Sequence, residues 1–441
     1  MDVNDRWLVV VTAALGWDLL QRHSAAPRSG GGLTAADFRR AESLFPALTC
    51  PFQATLRTAL PPSGHGIWFN GLYDRRLARP LFWEQHAALA RGPRIWSGRR
   101  ARGQRVAVLF WQQSLGEDAD VVISPRPVHR HHGGMIPDCL DRPPGLYGEL
   151  RSALGGSFPL HRYWGPLAGA ASSRWIAGAA RTLMARGDAA PDLLFAYLPH
   201  LDYDLQRHGP ESPHAVQALD EAMSLLSHLW TEAAARGYRT LITGDYAIAP
   251  VTRPPAHPLR ALHDAGLFQT HTVRGRSYPD FFHSRAVALC DHELAAVFAR
   301  DADSARAARA ALERMPGFGG FAECPPAAAR PAGSDPAPDF IVLAEPGAWC
   351  MYPWWTSARE APDYAGHVDI HSKPGYDPCE LFHGWPPGRI SMNPARIRGT
   401  HGRGGPGRDI AWAVSDPAGF DGVRSVGDLA RALARRWDAT P

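Results

Sequence analysis

Two apolar runs in this chain end abruptly in polar and acidic side chains. The first run covers residues 192–198 and leads to Asp202, and the second covers residues 239–244 and leads to Asp245. Short runs that are apolar at nearly every position are typical of strands buried on both faces of a parallel sheet. Since parallel α/β sheets hold their sites at the carboxyl ends of strands, the pattern predicts that both carboxylates point into one crevice.

The same pattern predicts three more strands, at residues 7–12, 285–290 and 340–344. Between the first two runs, Ser212 and Pro213 suit the N-cap and the first position of a helix. The apolar residues that follow repeat at helical spacing, at Val216, Leu219, Met223, Leu226 and Leu229. This helix is expected to cross over between two parallel strands, as in a βαβ unit.

Other segments carry helical signals as well. Residues 35–44 fit a short helix with Thr34 as its N-cap, and residues 304–315 fit another. A third helix is predicted from Phe52 onward, after a loop that two prolines restrict. Thr49 is thereby placed just before a helix N-terminus, where backbone N–H groups favour an anion.

The organisation of the chain is expected to be simple. Its 441 residues are enough for one large α/β domain with insertions. Residues 95–185 lack a regular pattern and are rich in Trp, His, Arg and Pro. We therefore expect a single domain over residues 1–441, with a cap inserted at residues 95–185.

The composition argues against several classes of protein. The chain is 45% hydrophobic and 20% charged, which is ordinary for a soluble enzyme, and its net charge of +4 is too small to indicate nucleic-acid binding. No basic stripe, amphipathic anchor or membrane-spanning apolar stretch stands out. The six cysteines form no CxxC pair, so we expect reduced thiols in a cytoplasmic protein.

Three side chains are candidate metal ligands: Asp202, Asp245 and His401, which lies in a glycine-rich loop. Carboxylates that converge with an imidazole suit a hard-to-borderline divalent ion. Gln206 and Tyr246 lie beside the two carboxylates along the chain. Each aspartate by itself could equally be a loop or cap residue, and the histidine could merely be exposed.

Thr49 is the candidate nucleophile, and His371 and Lys373 could orient an anionic substrate. A threonine hydroxyl is a weak nucleophile unless a base or a metal activates it, so this role depends on the downstream carboxylates. The alternative for Thr49 is an ordinary turn residue. The alternative for His371 and Lys373 is a surface turn, where such residues are common.

Taken together, these residues and several segments resemble the type I phosphodiesterase/nucleotide pyrophosphatase branch of the alkaline phosphatase superfamily, most closely bacterial members of unsettled substrate. The likeness extends from about residue 7 to residue 415. It is carried by the Thr49 loop and by Gly64-His-Gly-Ile67, Asn70-Gly-Leu-Tyr-Asp-Arg75, Tyr163-Trp-Gly-Pro166, Leu201-Asp-Tyr-Asp-Leu-Gln-Arg-His-Gly-Pro210, Lys373-Pro-Gly-Tyr-Asp-Pro378 and Gly399-Thr-His-Gly402. The resemblance implies an alkaline-phosphatase-like α/β/α sandwich with a mostly parallel central sheet and a cap insertion.

The resemblance also implies two metal ions, usually zinc, about a threonine or serine that is transiently phosphorylated. Thr49 matches the family's nucleophile. Asp202 and His401 match two ligands of one metal, and Asp245 matches a ligand of the other. The side chains expected to contact the substrate are Asn70, Tyr246, His371 and Lys373.

The chain departs from the family pattern at three ligand positions. Gln206 and Tyr246 stand where the family has histidines, and the first strand ends at Thr12-Ala13 without the family's aspartate. Asp18, five residues on, would need a rearranged loop to substitute. The second metal keeps too few strong ligands, so we expect one divalent ion, zinc or manganese, rather than two. The ligands expected for this ion are Asp202, Gln206 and His401.

The resulting hypothesis is a metal-dependent phosphohydrolase or phosphodiesterase that acts on a small phosphorylated metabolite through Thr49. The alternative is a repurposed biosynthetic enzyme, or a non-hydrolytic protein of the same fold with a degenerate metal site, because the first-strand carboxylate is missing. Neither hypothesis involves nucleic acid or a membrane, and the sequence does not determine the oligomeric state.

Overall fold

An eight-stranded sheet lies at the centre of the structure, a computed structural model that describes residues 5–23, 32–324 and 337–438. From one edge to the other, its strands are β2 (Arg39–Ala41), β20 (Ile410–Val414), β11 (Tyr238–Gly244), β1 (Arg6–Thr12), β10 (Leu193–Leu198), β5 (Val106–Leu109), β6 (Val121–Pro125) and β9 (Cys139–Arg142). The five strands from β11 to β6 run parallel, whereas β20 and β9 pair antiparallel with their inner neighbours.

The middle strands are apolar along almost their whole length because both faces of the sheet are covered. In β1, Val10 pairs with Ala196 of β10 on one side and with Ile242 of β11 on the other. The predicted strands at residues 7–12, 192–198 and 239–244 are confirmed. The strands that precede Asp202 and Asp245, β10 and β11, are not direct neighbours, because β1 lies between them.

Helices flank this sheet in two layers, which gives the expected α/β/α architecture. The predicted crossover helix is confirmed: Pro213 is its first residue, and the Ser212 hydroxyl accepts a hydrogen bond from the Ala215 N–H. No helix in the described part of the chain combines the length and the apolarity needed to cross a membrane. The helices are α1 (Trp17–His23), α2 (Thr49–Thr58), α3 (Pro62–His65), α4 (Ser97–Ala101), α5 (Leu146–Ala153), α6 (Ala171–Met184), α7 (His200–His208), α8 (Pro213–Ala235), α9 (Pro258–Asp264), α10 (Ala302–Glu313) and α11 (Val426–Asp438).

A second sheet, antiparallel and four-stranded, is formed by chain between β11 and β20. Its order is β15 (Ala286–Asp291), β16 (Leu294–Ala299), β18 (Phe340–Ala344) and β17 (Phe318–Ala322). The helices α9 and α10 pack on it and share its buried core. The predicted strands at residues 285–290 and 340–344 and the helix at 304–315 are confirmed, and they belong to this second sheet layer.

Four short strand pairs complete the described sheets. They are β3 (Gly71–Asp74) with β4 (Arg79–Phe82), β7 (Val128–His129) with β8 (Met135–Ile136), β12 (Ala249–Pro250) with β19 (Gly399–Thr400), and β13 (Gln269–Val273) with β14 (Arg276–Asp280). The β12–β19 pair places the His401 loop next to the chain that follows β11.

Two predictions from the sequence are wrong in the structure. Residues 35–44 form a single 3₁₀ turn followed by β2, because the Asp37 carboxylate accepts the N–H and hydroxyl of Thr34 and closes the turn, after which the backbone pairs with β20. Residues 95–185 are not simply an inserted cap, because β5, β6 and β9 fall in this range and belong to the central sheet.

Candidate active site

Thr49 lies where the carboxyl ends of the parallel strands meet a helix. It is the first residue of α2, and only 4% of it is exposed. Its Oγ1 is 3.3 Å from Oδ2 of Asp245, which follows β11, and 3.5 Å from the hydroxyl of Tyr197 in β10. The first N–H groups of a helix have no partner within the helix and carry its partial positive charge. The predicted nucleophile therefore sits beside a carboxylate and at an anion-favouring helix end.

Asp245 is held by the loop that follows β1. Its Oδ1 accepts the N–H of Ala14 at 3.0 Å. The loop approaches this closely because residue 244 is glycine: a Cβ there would stand 2.2 Å from the Leu15 carbonyl oxygen. Burial raises the pKa of Asp245 well above its usual value, against the effect of the Ala14 hydrogen bond. The loop after β1, where the family has an aspartate, thus presents the Ala14 N–H to the Asp245 carboxylate. Asp18 does not replace that aspartate, because it is exposed on α1.

Asp202, in α7, has both carboxylate oxygens engaged by the chain itself. Oδ1 accepts the hydroxyl of Tyr246 at 3.1 Å, and Oδ2 accepts the amide Nε2 of Gln206 at 2.6 Å. Burial raises the pKa of Asp202 to about 7, while these two hydrogen bonds act to lower it. The Gln206 amide oxygen, which we expected on a metal, instead accepts the hydroxyl of Tyr376 at 2.9 Å.

Four aromatic rings form a continuous column next to these groups, here called the four-ring stack: Tyr246, His401, His292 and Tyr376. Tyr246 lies flat on His401 with ring centroids 3.5 Å apart, His401 and His292 are 3.6 Å apart, and His292 and Tyr376 are 3.9 Å apart. The hydroxyls at the two ends of the stack are those that bond Asp202 and Gln206. The stack therefore connects the His401 loop with the end of β15.

Both imidazoles in the stack are buried and present one unpartnered nitrogen. Nδ1 of His401 lies 2.8 Å from the Ala47 carbonyl oxygen, and Nδ1 of His292 lies 2.8 Å from Oδ1 of Asp291. Nε2 of each ring is buried with no hydrogen-bond partner. Burial lowers the pKa of both histidines well below the usual value. Because a carbonyl oxygen only accepts, neutral His401 has its proton on Nδ1 and a lone pair on Nε2, and an ionised Asp291 imposes the same tautomer on His292.

Asp291 connects His292 to the start of α2. The Asn70 N–H and side-chain amide donate to its two carboxylate oxygens at 3.0 and 3.2 Å. The Asn70 amide oxygen accepts the N–H of Cys50, next to Thr49, at 3.0 Å. Sequence reasoning did not single out Asp291 or His292. The signal was present, because an apolar strand ends there on polar residues, just as at Asp202.

His371 and Lys373 do not share these contacts. His371 is exposed, and its Nδ1 lies 3.0 Å from the Phe82 carbonyl oxygen. The Lys373 ammonium is buried between Asp377 at 2.8 Å and Glu380 at 2.6 Å. The substrate contacts predicted for His371 and Lys373 remain a prediction, and the contacts of these side chains with Phe82, Asp377 and Glu380 give it no support.

The donor set does not fit the two-ion arrangement that the family resemblance implies. One of its carboxylates is absent, Gln206 and Tyr246 replace two imidazoles, and no three or more His, Cys, Asp or Glu side chains of the described ranges form a group that could hold a metal as they stand. The Nε2 atoms of His292 and His401 are buried without a hydrogen-bond partner. Buried polar atoms are rarely left unpaired.

Comparisons with known proteins agree with this architecture. The family model described as "Type I phosphodiesterase / nucleotide pyrophosphatase" matches residues 8–377. Phosphonoacetate hydrolase from Sinorhizobium meliloti 1021 has a similar structure, with a TM-score of 0.60 at 15% identity over 98% of this chain and 95% of that one. Murine ectonucleotide pyrophosphatase/phosphodiesterase 5 has a TM-score of 0.58 at 14% identity, covering 99% and 96% of the two chains. No protein of curated function matches the sequence.

Proposed function

This chain belongs to the type I phosphodiesterase/nucleotide pyrophosphatase family of phosphoester hydrolases, and we propose that it hydrolyses a phosphoester of a small metabolite with Thr49 as the nucleophile. The observation that carries the proposal is the contact between Thr49 and Asp245 at the N-terminus of α2. A hydroxyl, a proton acceptor and an anion-favouring helix end are the components that attack on phosphorus needs.

In the proposed reaction, Thr49 Oγ1 attacks phosphorus as its proton passes to Asp245 Oδ2. The bond from phosphorus to the leaving oxygen breaks, and the leaving alkoxide takes a proton from solvent. A water molecule then attacks phosphorus and loses a proton to solvent, the bond from phosphorus to Thr49 Oγ1 breaks, Oγ1 takes back the proton held by Asp245, and the phosphate product is released. The Ala14 N–H keeps Asp245 directed at Thr49, and the positive end of the α2 dipole favours the negatively charged phosphoryl oxygens.

Asp202 and His401 are the residues that would hold a divalent ion in this site, zinc or manganese. Such an ion, when bound, would neutralise charge that develops on the phosphoryl oxygens. Contact of Tyr246 and Asn70 with the substrate is part of the proposal: the Tyr246 hydroxyl bonds Asp202, and the Asn70 amide oxygen bonds the N–H of Cys50, next to Thr49. As part of the proposal, the substrate is a free small molecule rather than nucleic acid or lipid, and the free cysteines suit a cytoplasmic protein.

The test compares hydrolysis of bis-p-nitrophenyl phosphate and p-nitrophenyl phosphate by the natural chain, Thr49→Ala and Thr58→Ala. Thr58 is a buried threonine of the same helix, but it lies at the opposite end and bonds the Ala54 carbonyl. We expect Thr49→Ala to lose roughly 10³-fold or more in kcat, since removing a nucleophile typically costs at least this much, while Thr58→Ala keeps its rate. Full activity of Thr49→Ala would overturn the proposal.

A second candidate is a protein of this fold that binds a phosphoester without cleaving it, or uses it in another group transfer. The specific observation in its favour is that all four carboxylate oxygens of Asp202 and Asp245 accept hydrogen bonds from the chain itself. It would be supported by a phosphoester that raises the unfolding temperature of the natural chain but is recovered intact.

A further inference from the structure

We infer that Tyr197 is a further catalytic residue, and that its hydroxyl stabilises Thr49 Oγ1 when this oxygen leaves phosphorus in the second half of the reaction. The inference rests on the proposed function and deepens it, because it assigns a group to the breakdown of the phosphothreonine. Its basis is the 3.5 Å contact between the Tyr197 hydroxyl and Oγ1. Catalytic hydrogen bonds are often long before the substrate binds and shorten in the complex.

The contacts of Thr49 fix which of the two hydroxyls donates. Within the described ranges, Oγ1 has hydrogen-bonding contacts with Tyr197 and with Oδ2 of Asp245, which lies 3.3 Å away. A threonine hydroxyl has one proton, and an ionised carboxylate only accepts. When Asp245 is ionised and acts as the proton acceptor, Thr49 therefore donates to it. A lone pair of Oγ1 is then left for the proton of Tyr197.

The surroundings of Tyr197 keep the proton on its phenol. The residue is 5% exposed, and burial, followed by the charge of Asp245, raises its pKa well above the usual value. A phenol in this state is a hydrogen-bond donor and not a base. Among the described residues its hydroxyl contacts no other hydrogen-bond partner, so the donor is available to Oγ1.

The central sheet, rather than a loop, places this hydroxyl. Tyr197 precedes the last residue of β10, a strand that is buried along its whole length, and it pairs with Val11 of β1. A donor held by an internal strand is already in position when charge develops on Oγ1. Such preorganisation is what makes hydrogen-bond donors effective in stabilising a transition state.

The position of the donor predicts different effects on the two half-reactions. During the attack, a donor on Oγ1 draws electron density from the attacking lone pair, so it gives no advantage. During breakdown, the bond from phosphorus to Oγ1 breaks and its electron pair stays on Oγ1. Tyr197 donates a hydrogen bond to this oxygen and keeps its proton, while the proton held by Asp245 passes to Oγ1. Tyr197 thus accelerates breakdown.

The experiment compares Tyr197→Phe with the natural chain. It follows p-nitrophenol release during and after the first turnover, and it measures the adduct on the peptide that contains Thr49 by mass spectrometry after acid quenching. We expect the variant to release a burst of about one p-nitrophenol per chain and to accumulate the adduct. Its steady rate should then be about 10²- to 10³-fold below that of the natural chain, the loss typical when one donor to a developing oxyanion is removed.

The matched control is Tyr238→Phe. Tyr238 is a buried tyrosine at the start of β11, and its hydroxyl donates to the Pro191 carbonyl. Because β11 delivers Asp245 from its other end, this hydroxyl lies away from Thr49. We expect Tyr238→Phe to match the natural chain in burst, adduct and steady rate.

A second measurement separates this role from a structural one. Phenyl phosphate and p-nitrophenyl phosphate leave the same adduct on Thr49, as do their methyl esters, so the steady rates of each pair should become equal in Tyr197→Phe. A lower rate without accumulated adduct, or the natural rate with accumulated adduct no higher than in the natural chain, overturns the inference. The proposed function fails differently, through full activity of Thr49→Ala, whereas the inference alone fails when Thr49→Ala is inactive and Tyr197→Phe is unimpaired.

Discussion

Replacing Lys373 by methionine is expected to destabilise the fold. The Lys373 ammonium donates to Asp377, to Glu380 and to the His367 carbonyl, at 2.8, 2.6 and 2.9 Å. The side chains of the lysine and both acids are at most 5% exposed. Burial acts to lower the pKa of Lys373, but the two carboxylates outweigh it, so that the net shift is upward. The ammonium is therefore charged at neutral pH.

The expected magnitude follows from what the substitution leaves behind. Methionine retains the apolar stem, so the loss comes from two buried carboxylates without their cation. Breaking a buried ion pair from one side costs about 3–5 kcal/mol. Glu380 keeps hydrogen bonds from the Asp369 N–H and the Trp164 indole, which places the expected loss near the lower end, about 3 kcal/mol.

Urea denaturation followed by circular dichroism measures this loss as a lower midpoint at unchanged slope. The matched control is Arg306→Met, which removes a cation from the exposed pair with Asp303, where both side chains are more than 70% exposed; we expect a change within about 0.5 kcal/mol. If Lys373→Met unfolds at the natural midpoint but loses phosphoester binding, the structural reasoning is refuted and the substrate contact predicted from the sequence is restored.

Two further predictions concern the stability of the scaffold. His65 is buried, and burial and then Arg57 lower its pKa to about 3. Below about pH 6.5 the unfolded chain binds a proton at His65 that the native chain does not bind, so native stability falls as the pH drops from 6.5 towards 3. Between pH 7 and pH 5, the unfolding free energy of the natural chain should fall by about 2 kcal/mol more than that of His65→Gln in parallel urea titrations. Equal losses in the two proteins would contradict this prediction. Ser212→Ala removes the hydroxyl that accepts the Ala215 N–H at the start of α8 and should cost about 1 kcal/mol, whereas Ser152→Ala, whose exposed hydroxyl bonds a helix carbonyl, should cost little in the same assay.

Elements with strong local signals could be read from the sequence. The strands β1, β10 and β11 are apolar on both faces, and α8 combines a capping serine, a first-turn proline and helical spacing. Each signal lies within a few adjacent residues, so no knowledge of distant contacts is needed. The placement of Thr49 at a helix start and the delivery of Asp202 and Asp245 to strand ends follow from the same local logic.

Segments whose structure depends on a distant partner were not predictable in this way. Residues 39–41 carry helical spacing but form β2, because they complete the edge of the sheet beside β20. The range 95–185 reads as irregular, yet its short strands β5, β6 and β9 extend the central sheet. Because these strands are short, their sequences show little periodicity. Their place in the sheet is set by pairing: β5 pairs with β10, β6 with β5, and β9 with β6.

The candidate active site shows most clearly which features follow from local sequence and which depend on contacts between distant residues. The sequence alone determined which carboxylates, threonine and histidine could act, and that a first-strand carboxylate is missing. Only the tertiary structure decided that the Ala14 N–H faces Asp245, that the Gln206 amide oxygen turns to Tyr376, and that His292 packs against His401. The reason is physical: residue type and local spacing specify what chemistry is present, whereas side-chain direction and contacts between separate sheets are set by packing across more than a hundred residues of intervening chain.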